Sequence, residues 1–289
     1  MKQTVLVTGV TAGGLGAAIA IKLAKNDNYT VYGTLRDLSK SAAFKTEAEQ
    51  SGLNPDAVKI IQLDVTKEES CKSAISAVLE SGRIDILINN AGKGLVQTVE
   101  GTDMDRVYDC FEVNYFGVYR LIKSVIPTMR AQSFGRIVNI SSVGGLVGQP
   151  FNEAYCSAKA ALDSLAESMN TTLRTFNIKV TTYCPGMITT NFINNAQGIN
   201  DDLKMEGIPA AYEEMFDKYV ARTRAIKSSA EAAAFRQTPE ESADDVVQIV
   251  SSDLAKARVY PNTVIGVVQT KFSDPSAETV ISLLRTTFK

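Results

Sequence analysis

Six short apolar runs recur along the first two thirds of the chain, each bounded by turn-forming or polar residues. They are QTVLVT (3–8), YTVYGT (29–34), VKIIQL (58–63), IDILIN (84–89), RIVNIS (136–141) and KVTTYC (179–184). Their length and β-branched content suit buried strands. Between them, apolar residues fall at helical spacing: Leu15, Ile19, Ala20 and Leu23 within 14–25, then the segments 67–81, 103–130 and 152–177. Strand–helix alternation repeated this often leaves one economical solution, an α/β doubly wound parallel sheet with helices on both faces. A further strand is expected in NTVIGVVQ (262–269), for about seven strands in all. No repeat, low-complexity tract or linker interrupts 1–289, which reads as a single domain. The segment 190–237 breaks the alternation and reads as an insertion over the ligand crevice.

Composition narrows the function. A net charge of −2 leaves no nucleic-acid footprint. The chain contains no apolar run of about eighteen residues, so no membrane-spanning helix is expected. The N-terminal apolar run breaks at glycines and reads as a strand rather than a secretion signal. Cys71, Cys110, Cys156 and Cys184 are scattered without a C-x-x-C pair, as in reduced, cytoplasmic proteins. The chain contains no histidine. Ser-His-Asp and Cys-His catalysis and His-ligated metals are therefore excluded, and no metal is expected. Any proton transfer falls to Tyr, Lys, Asp, Glu, Cys or water.

The first strand runs into a turn carrying Gly9, Gly13, Gly14 and Gly16, followed by a helix. Such a turn lets the backbone approach a pyrophosphate, which then sits at the positive end of the helix. The turn contains no lysine, which disfavours an ATP-type phosphate loop. The second strand ends YGTLRDL. Leu35 stands where an acid would hold the ribose of NAD, and Arg36 follows, suited to a 2′-phosphate. Thr11 adds a hydroxyl. NADP(H) is therefore the expected cofactor, with Asp37 the residue that would instead accept a ribose hydroxyl.

Pro150 and Asn152 precede a helical pattern on which Tyr155 and Lys159 are i and i+4 and share one face. An ammonium beside a phenol favours the phenolate. Ser142, at the end of the fifth strand, lies in the crevice at the strand C-termini, where its hydroxyl could bond the oxygen that Tyr155 protonates. Taken alone, a Y-x-x-x-K pair is also an ordinary helix feature. Asn114 lies within an apolar helix, VYDCFEVNYFGVYRLI, where a buried amide needs partners.

With TGVTAGGLG (8–16), NNAG (89–92), FEVNYFG (111–117), SS…Y-x-x-x-K (141–159) and PGMITT (185–190) in this order, the chain resembles the short-chain dehydrogenase/reductase family. The glycine turn has one residue more than the family's usual T-G-x-x-x-G-x-G. The resemblance implies a Rossmann fold, with Ser142, Tyr155 and Lys159 catalytic and Asn114 holding a water that links Lys159 to solvent. It implies cofactor contacts from Gly9, Thr11, Gly14, Leu15, Gly16, Arg36, Asp64, Val65, Asn90, Ala91, Gly92, Tyr155, Lys159, Pro185, Ile188 and Thr190. Substrate contacts are expected from Ser142, Val143, Leu146, Gln149, Tyr155, Gly186 and Met187.

Length, VYGTLRDL and SVGGLVGQPFNEAYCSAKAAL are similar to the subgroup of 17β-hydroxysteroid and photoreceptor-type retinol dehydrogenases. The resemblance implies NADP(H)-dependent interconversion of an apolar ketone and a secondary alcohol. Retinol dehydrogenase or carbonyl reductase activity on other lipophilic or small carbonyls is the alternative, and a non-catalytic NADPH-binding regulator the remote one. It also implies a homodimer or homotetramer formed through 103–130 and 152–177. Phe192, Met205, Tyr212, Met215, Phe216 and Tyr219 either line the pocket or pack the insertion, and Cys156 is expected only to pack.

Overall fold

The computed structural model describes residues 2–192, 195–198, 204–228, 230, 233–252, 256–274 and 276–285. The six expected strands form within two residues of the apolar runs: β1 (Gln3–Val7), β2 (Tyr29–Leu35), β3 (Val58–Gln62), β4 (Ile86–Asn89), β5 (Gly135–Ile140) and β6 (Ile178–Tyr183). Two-residue strands follow, β7 (Met187–Ile188), β8 (Arg236–Gln237) and β9 (Arg258–Val259). The main sheet has seven strands in the order β3-β2-β1-β4-β5-β6-β9, all parallel. β7 and β8 pair separately. The helices are α1 (Leu15–Ala24), α2 (Ser41–Gln50), α3 (Glu68–Leu79), α4 (Met104–Phe111), α5 (Gly117–Ala131), α6 (Glu153–Leu173), α7 (Glu213–Ser228), α8 (Pro239–Ser251), α9 (Ile265–Ser273) and α10 (Glu278–Arg285).

Side-chain alternation along the strands divides the core into two layers. Val5, Val7, Ile86, Ile88 and Val138 point to one face and pack with Ile19 and Leu23 of α1, Phe44 of α2 and Val246 of α8. Leu6, Leu87 and Ile137 point to the other and meet Ile75 of α3, Leu121 and Val125 of α5 and Leu162 of α6. This is the doubly wound Rossmann arrangement. The strand order reverses at β1, between β2 and β4, which opens a crevice beyond the strand C-termini.

The run at 262–269 is not a strand. Pro261 precedes a 3₁₀ turn at Asn262–Val264, and α9 follows. Val264 and Val268 are one helical turn apart and pack together with Val143, so a β-branched run is held as a helix by its packing face. The seventh strand is β9. α8 starts with a capping box, Thr238 accepting from the Glu241 N–H (3.2 Å) while Glu241 accepts from the Thr238 N–H (2.7 Å).

Candidate active site

The glycine turn joins β1 to α1. Gly9 adopts φ +74°, and a Cβ there would lie 3.0 Å from the Ala91 Cα. The Gly9 N–H donates to Thr34 Oγ1 (3.2 Å), tying the turn to β2. Gly16 lies against the Gly9 carbonyl and Asn90 Nδ2, with no room for a methyl group. The Asn90 amide donates to the carbonyls of Thr8 (2.9 Å) and Gly9 (3.0 Å). Its side chain is thus a brace for the turn, and the Asn90 and Ala91 N–H groups both donate to Thr8 Oγ1 (2.9 Å). Gly14 is the N-cap of α1 and no side chain caps this end, the condition under which helix amides take up an anion. The Gly13 N–H donates to Glu47 Oε2 of α2 (2.7 Å), which holds the lengthened turn outward.

Arg36 is exposed just past β2, and its guanidinium makes no ion pair with the described residues. Leu35 is buried in the core. The Asp37 carboxylate caps the next turn by accepting from the Ser39 N–H (3.0 Å). Arg36 is therefore an exposed cation at this position that makes no ion pair among the described residues. Thr11 is exposed beside the same turn. Past β3, Asp64 accepts from the Thr66 N–H (3.0 Å) and hydroxyl (2.7 Å). Partial burial pushes its carboxyl up, but these bonds and the Arg36 and Lys67 charges leave it below the usual range. Val65 packs under Gly117 at the start of α5.

Ser142, Tyr155, Lys159 and Asn114 converge beside Gly92. Ser142 is buried at the end of β5; its Oγ accepts from the Gly144 N–H (3.0 Å), and its hydroxyl is the polar group that draws the Tyr155 hydroxyl back toward the ordinary phenol range. Tyr155 is half-buried on the first turn of α6. Lys159, 4% exposed, places Nζ 5.7 Å from the Tyr155 ring centroid and donates to the Ile140 carbonyl (2.9 Å). Asn114 lies where the helix loosens over Glu112–Phe116, with the Gly117 N–H reaching the Glu112 carbonyl five residues back. Its amide donates to the Cys110 (2.9 Å) and Lys93 (2.8 Å) carbonyls and accepts from the Lys93 N–H (3.2 Å). A Cβ on Gly92 would lie 3.1 Å from Asn114 Oδ1 and 3.7 Å from Lys159 Nζ.

The electrostatics differ from the sequence expectation. Burial pushes the Lys159 ammonium down to about 8, with Asp163 opposing. Burial also pushes the Tyr155 hydroxyl above the ordinary phenol range, with Ser142 opposing. Lys159 sits on the Ile140 carbonyl rather than on the phenol oxygen, so in the protein alone desolvation outweighs its pull toward the phenolate. A phenol held protonated is suited to act as an acid. Lys159 spends one of its three donors on Ile140, and the other two suit ribose hydroxyls.

The walls are less open than expected. Val143, 8% exposed, is packed among Val264, Val268 and Leu146, and its N–H donates to the Pro185 carbonyl (2.8 Å). Leu146, Gln149, Gly186 and Met187 are half-buried. The Thr190 N–H donates to the Ile188 carbonyl (2.8 Å), and Thr190 Oγ1 accepts from the Phe192 N–H (3.2 Å). The Phe192 ring is 5.8 Å from that of Tyr155, so it roofs the site. Met205 and Phe216 are buried with Phe151 and Val220, and Tyr212, Met215 and Tyr219 pack against them. These five residues pack the insertion. Asn152 takes the N-cap position of α6 but does not cap with its side chain; its amide donates to the Pro150 carbonyl (2.9 Å) and the Tyr219 hydroxyl (2.9 Å). Burial pushes the Cys156 thiol up to about 11, which leaves it unreactive at neutral pH.

A family model described as short chain dehydrogenase matches residues 3–199. The chain belongs to the short-chain dehydrogenase family. This dehydrogenase is 32% identical to retinol dehydrogenase 8 of Bos taurus, over 95% of its own length and 86% of the relative's. It is 31% identical to estradiol 17-beta-dehydrogenase 1 of Rattus norvegicus, over 97% and 80%. A short chain dehydrogenase/reductase from Burkholderia phymatum in complex with NAD shares its fold with a TM-score of 0.78 at 22% identity, over 96% and 95%. The family binds a nicotinamide cofactor. The residues present here fit one: the glycine turn, the uncapped end of α1 and the two unspent donors of Lys159 face the same crevice. Among the described residues no helix is long and apolar enough to cross a membrane, and no cluster of His, Cys, Asp and Glu suits a metal.

Sequence reasoning passed over Asp163, buried one turn beyond Lys159, and Lys93, which pairs with Asp109 beside Asn114. Helical spacing from Lys159 could have found the first. The second depends on a loop, and no local pattern marks it.

Proposed function

We propose that this dehydrogenase is an NADP(H)-dependent oxidoreductase that interconverts an apolar ketone and a secondary alcohol. The observation that carries the reading is the Tyr155 side chain on one face of α6 with Lys159, whose ammonium lies 5.7 Å from its ring, and with Ser142 acting on its hydroxyl. When bound, the nicotinamide supplies hydride to the carbonyl carbon or takes it back from the alcohol. Tyr155 gives its proton to the carbonyl oxygen, and Ser142 donates a hydrogen bond to that oxygen as charge develops on it. Lys159 stabilises the phenolate left behind and holds ribose hydroxyls. The opened helix at Asn114 and the Gly92–Lys93 backbone provide a place for the water through which Lys159 is reprotonated.

Gly9, Thr11, Gly14, Leu15 and Gly16 would hold the pyrophosphate, Arg36 the 2′-phosphate, and Asp64 and Val65 the adenine. Asn90, Ala91 and Gly92 would line the middle of the cofactor; Pro185, Ile188 and Thr190 would hold the carboxamide. The NADP preference rests on the exposed Arg36 and on the capped, occupied Asp37. A hydroxysteroid substrate is favoured by the relative that acts on estradiol, and a retinoid is the second reading, favoured by the relative named retinol dehydrogenase 8. Substrate contacts come from Ser142, Tyr155, Leu146, Gln149, Gly186 and Met187, with Phe192 as roof and Val143 behind. The intact Ser142–Tyr155–Lys159 set argues against a purely regulatory NADPH-binding role.

We read 1–289 as one cytoplasmic unit, with 190–237 folded over the site. It pairs with a second copy through 103–130 and 152–177, where Met104 and Tyr108 of α4, Phe116 between α4 and α5, and Tyr119 of α5 are exposed. Consumption of NADPH with a panel of steroid, retinoid and small carbonyls tests the function. Turnover of the lipophilic members is the expected result, and turnover of none would contradict it.

A further inference from the structure

We propose that Asp163 is a positioning residue of this site: its buried carboxylate, one helical turn beyond Lys159 on α6, is the counter-charge that keeps Lys159 a cation and the anchor on which the Ser142 turn is seated. The inference rests on the assignment of Lys159 above. Asp163 is 1% exposed, where a carboxylate with no role is costly. It continues the spacing of the site, Tyr155, Lys159 and Asp163 being i, i+4 and i+8 on one face of α6.

Its contacts reach the catalytic set from two sides. Ser141, the neighbour of Ser142, lowers the Asp163 carboxyl and donates its hydroxyl to the Lys159 carbonyl (3.5 Å), and the Cys184 Sγ donates to Asp163 Oδ2 (4.0 Å). Gly145, in the turn that Ser142 caps, is so close that a Cβ there would lie 2.7 Å from Asp163 Oδ2 and 3.1 Å from the Lys159 carbonyl. Oδ1 has no hydrogen-bond partner in the protein. A carboxylate left half-satisfied in a buried position is acting through its charge rather than through a completed set of bonds.

The charged and titratable neighbours leave Asp163 as the anion facing Lys159. From α4, Cys110 faces the ammonium; from the end of β6, Cys184 does. Burial pushes both thiols up, so both are neutral at working pH. Burial pushes the Asp163 carboxyl up as well, and Glu167 on α6 adds to this, but Ser141, Arg258 on β9 and Lys159 oppose it and favour the carboxylate. The Arg258 Nε is 2.9 Å from Glu167 Oε1, so these two charges largely offset each other. Burial drives Lys159 toward its neutral form, and Asp163 is the strongest influence opposing it.

The test is a titration of the Lys159 side chain by NMR, in protein carrying ¹³Cε-lysine, with its resonance identified by its loss in Lys159→Arg. The parent, Asp163→Asn, Asp163→Ser and Asp163→Glu are compared without cofactor or substrate, so the result does not depend on whether a carbonyl is turned over. The parent midpoint is expected near 8. Each neutral variant should lower it by about one pH unit or more, and Asp163→Glu should restore it. The high-pH limb of kcat/KM for any turned-over substrate should move down with it. Either neutral variant that folds suffices for the comparison. A midpoint unchanged in a folded neutral variant would overturn the proposal, as would an activity loss equal at every pH, which is what a merely structural role produces.

Discussion

At the residue scale the site runs on charge placed against burial. Lys159 is driven down to about 8 by desolvation. Its cation is therefore present below that value and is lost as pH rises through it. Reduction, which leaves a phenolate beside Lys159, should fall above about pH 8, by up to tenfold per unit. A pH–rate profile of kcat/KM checks this, and a flat profile up to about pH 10 would contradict it. Arg36 is the second residue-scale test. Arg36→Ala should weaken NADPH binding about 10- to 100-fold while changing NADH by less than about twofold, since the 2′-phosphate loses a charge-assisted bond that NADH never makes. Fluorescence titration with each cofactor measures it. Equal losses for both would assign Arg36 to something other than the phosphate. The placement of Tyr155 and Lys159 on one helix face and of Ser142 at a strand end was legible in the sequence because helix spacing and strand ends are local rules. Asp163 was passed over because a single acid on a helix reads as a solvated face, although its i+4 spacing from Lys159 put it on the same face. Asn152 holds the N-cap position of α6, but its amide is taken by a tertiary partner, Tyr219, that no local pattern announces.

At the element scale the glycine turn is a packing device as much as a ligand device. A methyl on Gly16 would meet the Gly9 carbonyl and the Asn90 amide that braces the turn. Gly16→Ala should destabilise the protein by about 1–3 kcal/mol and weaken both cofactors alike, because the turn itself must shift. Denaturant unfolding and the same cofactor titrations check it; normal stability would mean the turn is looser than its contacts imply. Strand–helix alternation made six strands readable to within two residues. The run at 262–269 misled because valines at helical spacing and valines in a strand are locally alike, and the face turned to Val143 decided between them. The segment 103–130 read as one helix. Its opening at Glu112–Phe116 follows from the bonds Asn114 makes to Lys93, which lies far away in sequence.

At the scale of the whole molecule, the doubly wound sheet brings the glycine turn, Ser142 and the segment after β6 together beyond its strand C-termini. The apolar residues exposed on α4 and α5 are the surface expected to pair with a second copy. Tyr108→Glu with Phe116→Glu should convert a dimer to a monomer in sedimentation; a parent that is already monomeric at micromolar concentration would remove that reading. The insertion was legible as an interruption but not in its division of labour. Met205 and Phe216 pack with one another, while the Phe192 ring lies 5.8 Å from the ring of Tyr155. That difference is set by tertiary packing, to which composition is blind.

The central claim is that Tyr155 is the proton donor in a carbonyl reduction. NADPH oxidation measured with lipophilic ketones, in the parent and in Tyr155→Phe, tests it most directly, with cofactor affinity measured in parallel. The expected result is turnover by the parent and a loss of at least about 100-fold in the variant, with NADPH bound as before. Near-parental turnover by Tyr155→Phe would contradict it.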